Sequence, residues 1–141
     1  MKITICWSST FRQEMLDYEA KLTQLGHEVI VHPDYGAYLR GEKPEVIEMI
    51  QKEHAKAKRM YGYIKWYHTA IIQSDAILVL NFDKRDIPNY IGCNTLMEIA
   101  FAYTADKKIF LLNDIPDQSY ILDEITAMDP IVIHGDLSLI V

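Results

Sequence analysis

The stretch Ser74–Glu98, SDAILVLNFDKRDIPNYIGCNTLME, decides the fold. Asp75 opens it, and five apolar residues follow at once, Ala76-Ile77-Leu78-Val79-Leu80. A strand with no polar face has to be covered on both sides, as in a parallel sheet between helix layers. A polar loop with Pro88 and Gly92 comes next, and from Asn94 the sequence reads as a helix. In open α/β sheets the ligand crevice lies beyond the carboxyl ends of such strands, near the next helix N-terminus. Glu98 then stands roughly one turn into a helix at the place where these folds do chemistry.

Outward from that stretch, strand and helix patterns alternate. Lys2–Cys6 reads as a first strand, and 11–25 as a helix whose stripe is Phe11, Met15, Tyr18, Leu22 and Leu25, closed by Gly26. Glu28–Val31 is a short second strand stopped by Pro33. Asp34–Lys43, with two glycines among Tyr35, Tyr38 and Leu39, reads as a loop. From Pro44, suited to a first helical turn, to about Ser74 the pattern is mostly helical, with Gly62 as a break. Asp75–Asn81 is the third strand, Asn94–Ala105 a helix and Lys108–Asn113 the fourth strand. A last helix over Ser119–Met128 and a last strand over Ile131–His134 complete the chain. The alternation predicts one α/β domain over 1–141, a doubly wound, flavodoxin-like (Rossmann-like) parallel sheet of five strands in order 2-1-3-4-5. Its switch point falls between strands one and three, from which the loops 7–10 and 82–93 leave.

At 141 residues the chain is long enough to bury roughly two-thirds of its unfolded surface. Half of the residues are apolar and 24% are charged, the balance of a soluble globular protein. The net charge of −6 argues against binding a nucleic-acid polymer along its backbone, while leaving room for one small phosphorylated ligand. Cys6 and Cys93 are far apart with no CxxC partner, which points to reduced thiols rather than zinc or a disulfide. Cys6 ends a buried strand and reads as inert. The N-terminus runs straight into a strand with no signal peptide, and no apolar segment nears the ~20 residues of a membrane span. A cytoplasmic location is expected.

Each candidate site residue has a plainer competing role. Thr95-Leu96-Met97-Glu98 fits a capping box, in which Glu98 would reach back to the Thr95 amide. A carboxylate there is also favoured as the anion, and so stays nucleophilic. The turn Ser8-Ser9-Thr10, with Arg12 just after, offers hydroxyls, helix amides and a guanidinium for a phosphate, or merely an N-cap. It lacks the glycines of a P-loop or dinucleotide fingerprint. Tyr61, Tyr63, Trp66 and Tyr67, with His68, are either packing, in the core or at a homodimer face, or a platform for a nucleobase. His27, His32, His54 and His134 show no metal spacing and read as surface or edge residues, and His54–Arg59 as a solvated helix face.

Two segments resemble a known family. ITICWSSTFRQEM resembles the ICGS-type start of the nucleoside 2-deoxyribosyltransferase-like proteins, which include nucleoside 5′-monophosphate N-glycosidases. SDAILVLN…GCNTLMEIAFAYTADKKIFLL resembles that family's SDAxxxx…GTxxEIGxAxxxxKxIxLL. The resemblance implies cleavage or exchange of the N-glycosidic bond of a nucleoside or its 5′-monophosphate, in a homodimer or higher homo-oligomer. It puts the nucleophile on Glu98 and phosphate-binding hydroxyls on Ser8 or Ser9. No metal or redox cofactor is implied. Tyr67 stands where the family often has an aspartate, eight residues before Asp75, and Trp7 where it has a glycine. With that aspartate missing, Asp83 and Asp86 become the candidates for a second catalytic carboxylate. Arg12, Tyr67, His68, Asn94 and Thr95 complete the expected substrate contacts. Gly92–Glu98 also loosely echoes the GGxGTxxE motif of lysine-decarboxylase-like phosphoribohydrolases. A nucleotide-binding sensor without turnover would share the same fold.

Overall fold

The computed structural model describes residues 1–8 and 12–141, and at position 12 the backbone alone. Its strands are β1 (Lys2–Trp7), β2 (Glu28–Ile30), β3 (Ala76–Leu80), β4 (Lys108–Leu111) and β5 (Ile131–Val132). All pair in parallel, in the order β2-β1-β3-β4-β5. This is the doubly wound, flavodoxin-like arrangement that the alternation predicts. β1 and β3 carry the centre of the core, with Ile3, Ile5, Cys6, Ile77, Leu78 and Val79 fully buried. Buried polar groups between them are paired: Thr4 Oγ1 and Ser74 Oγ lie 2.8 Å apart. Asp75 accepts the Lys2 amide at 2.7 Å, which ties the start of β3 to the start of β1.

The helices are α1 (Arg12–Gln24), α2 (Asp34–Leu39), α3 (Pro44–Lys52), α4 (His54–Tyr61), α5 (Tyr63–Ile72), α6 (Cys93–Thr104) and α7 (Leu122–Ala127). α5 and α6 pack side by side, and both contact β1, as does α1; the right-handed crossovers usual in such sheets put α1 on the opposite face from that pair. Of the expected α1 stripe, Met15 and Leu22 are buried, whereas Leu25 is exposed and Phe11 lies outside the described residues. Among the described residues no helix is long and apolar enough to cross a membrane.

Three boundaries differ from the sequence reading. Asp34–Leu39 is helical rather than loop, because Ala37 and Tyr38 are buried and tertiary packing overrides the local glycine signal. The helical stretch after Pro44 is three helices. It breaks at Gly62 (φ 63°), as expected, but also at Glu53 (φ −132°, ψ 59°), where no turn residue announced it. The last helix and strand are shorter than their patterns, at Leu122–Ala127 and Ile131–Val132.

Candidate active site

Beyond the carboxyl end of β1, helices α2 to α6 enclose a cleft of about 860 Å³, its open mouth included. Trp7 enters from β1, and Tyr35 and Tyr38 from α2. Tyr63 and Tyr67 enter from α5, and Asn94, Glu98 and Phe101 from α6. Walls this aromatic suit a planar ring.

Glu98 is the buried carboxyl of this cleft, 8% exposed. The expected capping box does not form. Gly92 is the N-cap of α6 (φ −85°, ψ 170°), so Thr95 is the third helical residue and Glu98 the sixth, out of register with the box. Glu98 is also too deep for the helix dipole to dominate, since that effect fades within the first turn. Burial therefore wins, and its pKa rises from 4.5 to about 8, although the Cys6 thiol donates to it and the Lys58 ammonium draws it down. Burial so favours the neutral acid over the expected anion. Cys6 lies behind Glu98, its own pKa raised by burial and by the carboxyl beside it, which keeps it a thiol of low reactivity.

Unsatisfied polar atoms concentrate here. Among the described residues, the buried side-chain atoms without a hydrogen-bond partner are Trp7 Nε1, Tyr67 Oη and Glu98 Oε2, all on cleft-lining residues. Tyr67 is near enough to Tyr35 to feel its hydroxyl without a well-formed bond. Buried polar groups are nearly always paired, so three orphans around one cleft mark where a ligand's own polar atoms belong.

The outer wall is a network across α2 and α5. The Tyr38 and Tyr63 hydroxyls lie 2.5 Å apart, and each reaches Asp34 Oδ2 at 3.4 Å. Lys43 Nζ meets Asp34 Oδ1 at 2.7 Å. Behind it, His32 is buried among rings, with centroids 4.5 Å from Trp66 and 4.9 Å from Tyr63, and its Nδ1 accepts the Asp34 amide at 3.2 Å. His32 is thus a core histidine rather than a surface one, and burial lowers its pKa. Tyr63, Trp66 and Tyr67, the expected dimer face, are used for packing within the chain.

Other expected site residues separate. Asp83 and Asp86 do not line the cleft. Asp83 precedes and Asp86 lies inside a tight turn in which Lys84 and Ile87 exchange amide hydrogen bonds, with Arg85 and Asp86 at positive φ, and Asp83 Oδ1 accepts the Asn89 amide at 2.9 Å. Their pattern was turn chemistry. His68 packs edge-on against Phe101 from outside, and Thr95 is buried within α6, while Asn94 and Tyr67 do face the cleft. Ser8 accepts from Lys84 Nζ at 2.5 Å, which puts a cation in the first loop that the sequence reading passed over. Ser9 and the Arg12 side chain lie outside the described residues. The reading also missed His54 and Lys58, because the helix containing them looked solvated; both line the cleft, and Ala57 between them is buried.

No family model and no curated protein matches the chain. Among solved structures it is similar to a CMP N-glycosidase of Clostridium botulinum, BcmB, with a TM-score of 0.53. The likeness spans 96% of this chain and 91% of that one at 15% sequence identity, which makes it a likeness of fold.

Proposed function

We propose that the protein cleaves the N-glycosidic bond of a nucleoside or its 5′-monophosphate, with Glu98 as nucleophile. The carrying observation is Glu98 itself, a buried carboxyl with an unpartnered oxygen in an aromatic cleft beside the switch point. The fold likeness to a CMP N-glycosidase and the resemblance at Ser74–Leu112 support the same reading. Once ionised, Glu98 attacks C1′ of the sugar through an oxocarbenium-like transition state, and water or a second base resolves the glycosyl-enzyme. The aromatic walls stack the base, and Trp7 Nε1, donor only, offers it or the sugar a hydrogen bond. Ser8 with Lys84 beside it supports a phosphate at the 5′ position, with Ser9 and Arg12 as further candidates.

Incubation with a panel of nucleosides and 5′-monophosphates, read for free base by chromatography, tests this. Base release by the wild type and none by Glu98→Ala is expected, with the monophosphate preferred. The raised pKa of Glu98 favours one other reading, a nucleotide sensor whose neutral carboxyl only hydrogen-bonds its ligand. Tight binding with no base released from any member of the panel would select it.

A further inference from the structure

A base leaving C1′ takes the bonding electron pair onto its nitrogen, and a proton has to meet it there. Glycosidases ordinarily draw that proton from a second carboxyl. Among the described residues lining the cleft, Glu98 is the lone carboxyl, and as nucleophile it is committed to carbon. The Tyr67 phenol is held well above its ordinary range by burial, and the Cys6 thiol is engaged with Glu98. Tyr35 also lines the cleft, as do Tyr38 and Tyr63, whose hydroxyls are bound to each other and to Asp34. The titratable nitrogens of the cleft are His54 and Lys58, one turn apart on the same face of α4.

Geometry separates those two. Lys58 is half-buried, and its Nζ donates to Asn94 Oδ1 at 3.0 Å. Asn94 precedes Glu98 by one turn on α6, so both project from one helix face into the cleft. The ammonium is therefore tethered on the side of the cleft where Glu98 acts, and its charge reaches that carboxyl. His54 is exposed.

Resting on the N-glycosidase reading, we propose that Lys58 is the catalytic proton donor to the departing base and the proton acceptor for the incoming water. In the first step Glu98 Oε bonds to C1′, the C1′–N bond breaks, and a proton passes from Lys58 Nζ to the base nitrogen. The base leaves neutral and Lys58 is left as an amine. In the second step water oxygen bonds to C1′, the ester bond to Glu98 breaks, and the water's proton returns to Lys58. Carboxylate and ammonium are both restored, and no other reactant is consumed.

Lys58→Arg tests this, because a guanidinium keeps the charge beside Glu98 but does not give up its proton. Two substrates are compared: the best nucleotide, and a 4-nitrophenyl glycoside of the same sugar, whose leaving group departs as a stable anion. The expected loss in first-turnover base release is at least ~10²-fold on the nucleotide, whereas the first-turnover burst of nitrophenolate stays close to wild type and only the steady state after it slows. Equal losses in first-turnover release from both substrates, or no loss on either, would overturn the proposal while leaving Glu98 as nucleophile. Failure of the wild type to release either leaving group would instead bring down the N-glycosidase reading, and this proposal with it.

Discussion

Trp7 and Glu98 reach the cleft from β1 and from the helix that follows β3, the best-buried part of the molecule. Tyr38 and Tyr63 reach it from helices outside the sheet, held in place by Asp34, Lys43 and each other's hydroxyls. The inner side rests on a closed hydrogen-bond ladder and apolar burial. The outer side rests on a few polar contacts at the edge of solvent. One side can therefore carry the strain of a buried carboxyl, while the other can adjust to what enters.

The inner side should show the larger energetic effect. Glu98 has a folded-state pKa raised from 4.5 to about 8, so its favourable contribution is full at acid pH and lost as pH rises through about 8. Glu98→Gln cannot ionise, and its stability advantage over the wild type should grow across that window to roughly 3–5 kcal/mol. Urea unfolding at pH 5 and pH 9 measures it; an advantage equal at both pH values would mean that Glu98 is not desolvated. In parallel, kcat/KM of the wild type should rise with pH through about 8, because only the ionised carboxyl attacks carbon.

On the outer side, Asp34→Ala removes the acceptor shared by Tyr38, Tyr63 and Lys43. A cost of about 1–3 kcal/mol is expected, with KM raised and kcat nearly unchanged. A loss confined to kcat would place Asp34 with the reacting groups and erase the distinction between the sides. His32 gives the smallest effect. Its pKa is lowered by burial, so stability should fall as pH drops below 6.5, when the unfolded chain takes up a proton that the folded chain resists. His32→Phe should flatten that acid limb, read from midpoints between pH 7 and pH 5.

The same contrast governs how much was legible in the sequence. β3 declares itself because an all-apolar pentapeptide has one structural use, and the switch point places Glu98 near the ligand crevice. The position of Glu98 within its helix was less legible, since Thr95-Leu96-Met97-Glu98 matches a capping pattern that Gly92 pre-empts by starting the helix three residues earlier. On the outer side, α2 hides behind two glycines because its helicity comes from packing Tyr38. Lys58 hides in a polar run because the break at Glu53, which turns its helix toward the cleft, has no local signal.

The proton on Glu98 has one more consequence. At neutral pH the cleft carries a neutral acid, so a ligand that needs the anion must expel a proton into the medium. With a pKa of about 8, only about a tenth of the molecules are ready at pH 7. Apparent affinity for such a ligand should weaken nearly tenfold with each further unit of acidity. The heat of binding should also differ between buffers in proportion to their ionisation enthalpies, so a calorimeter can count that proton without observing any chemistry.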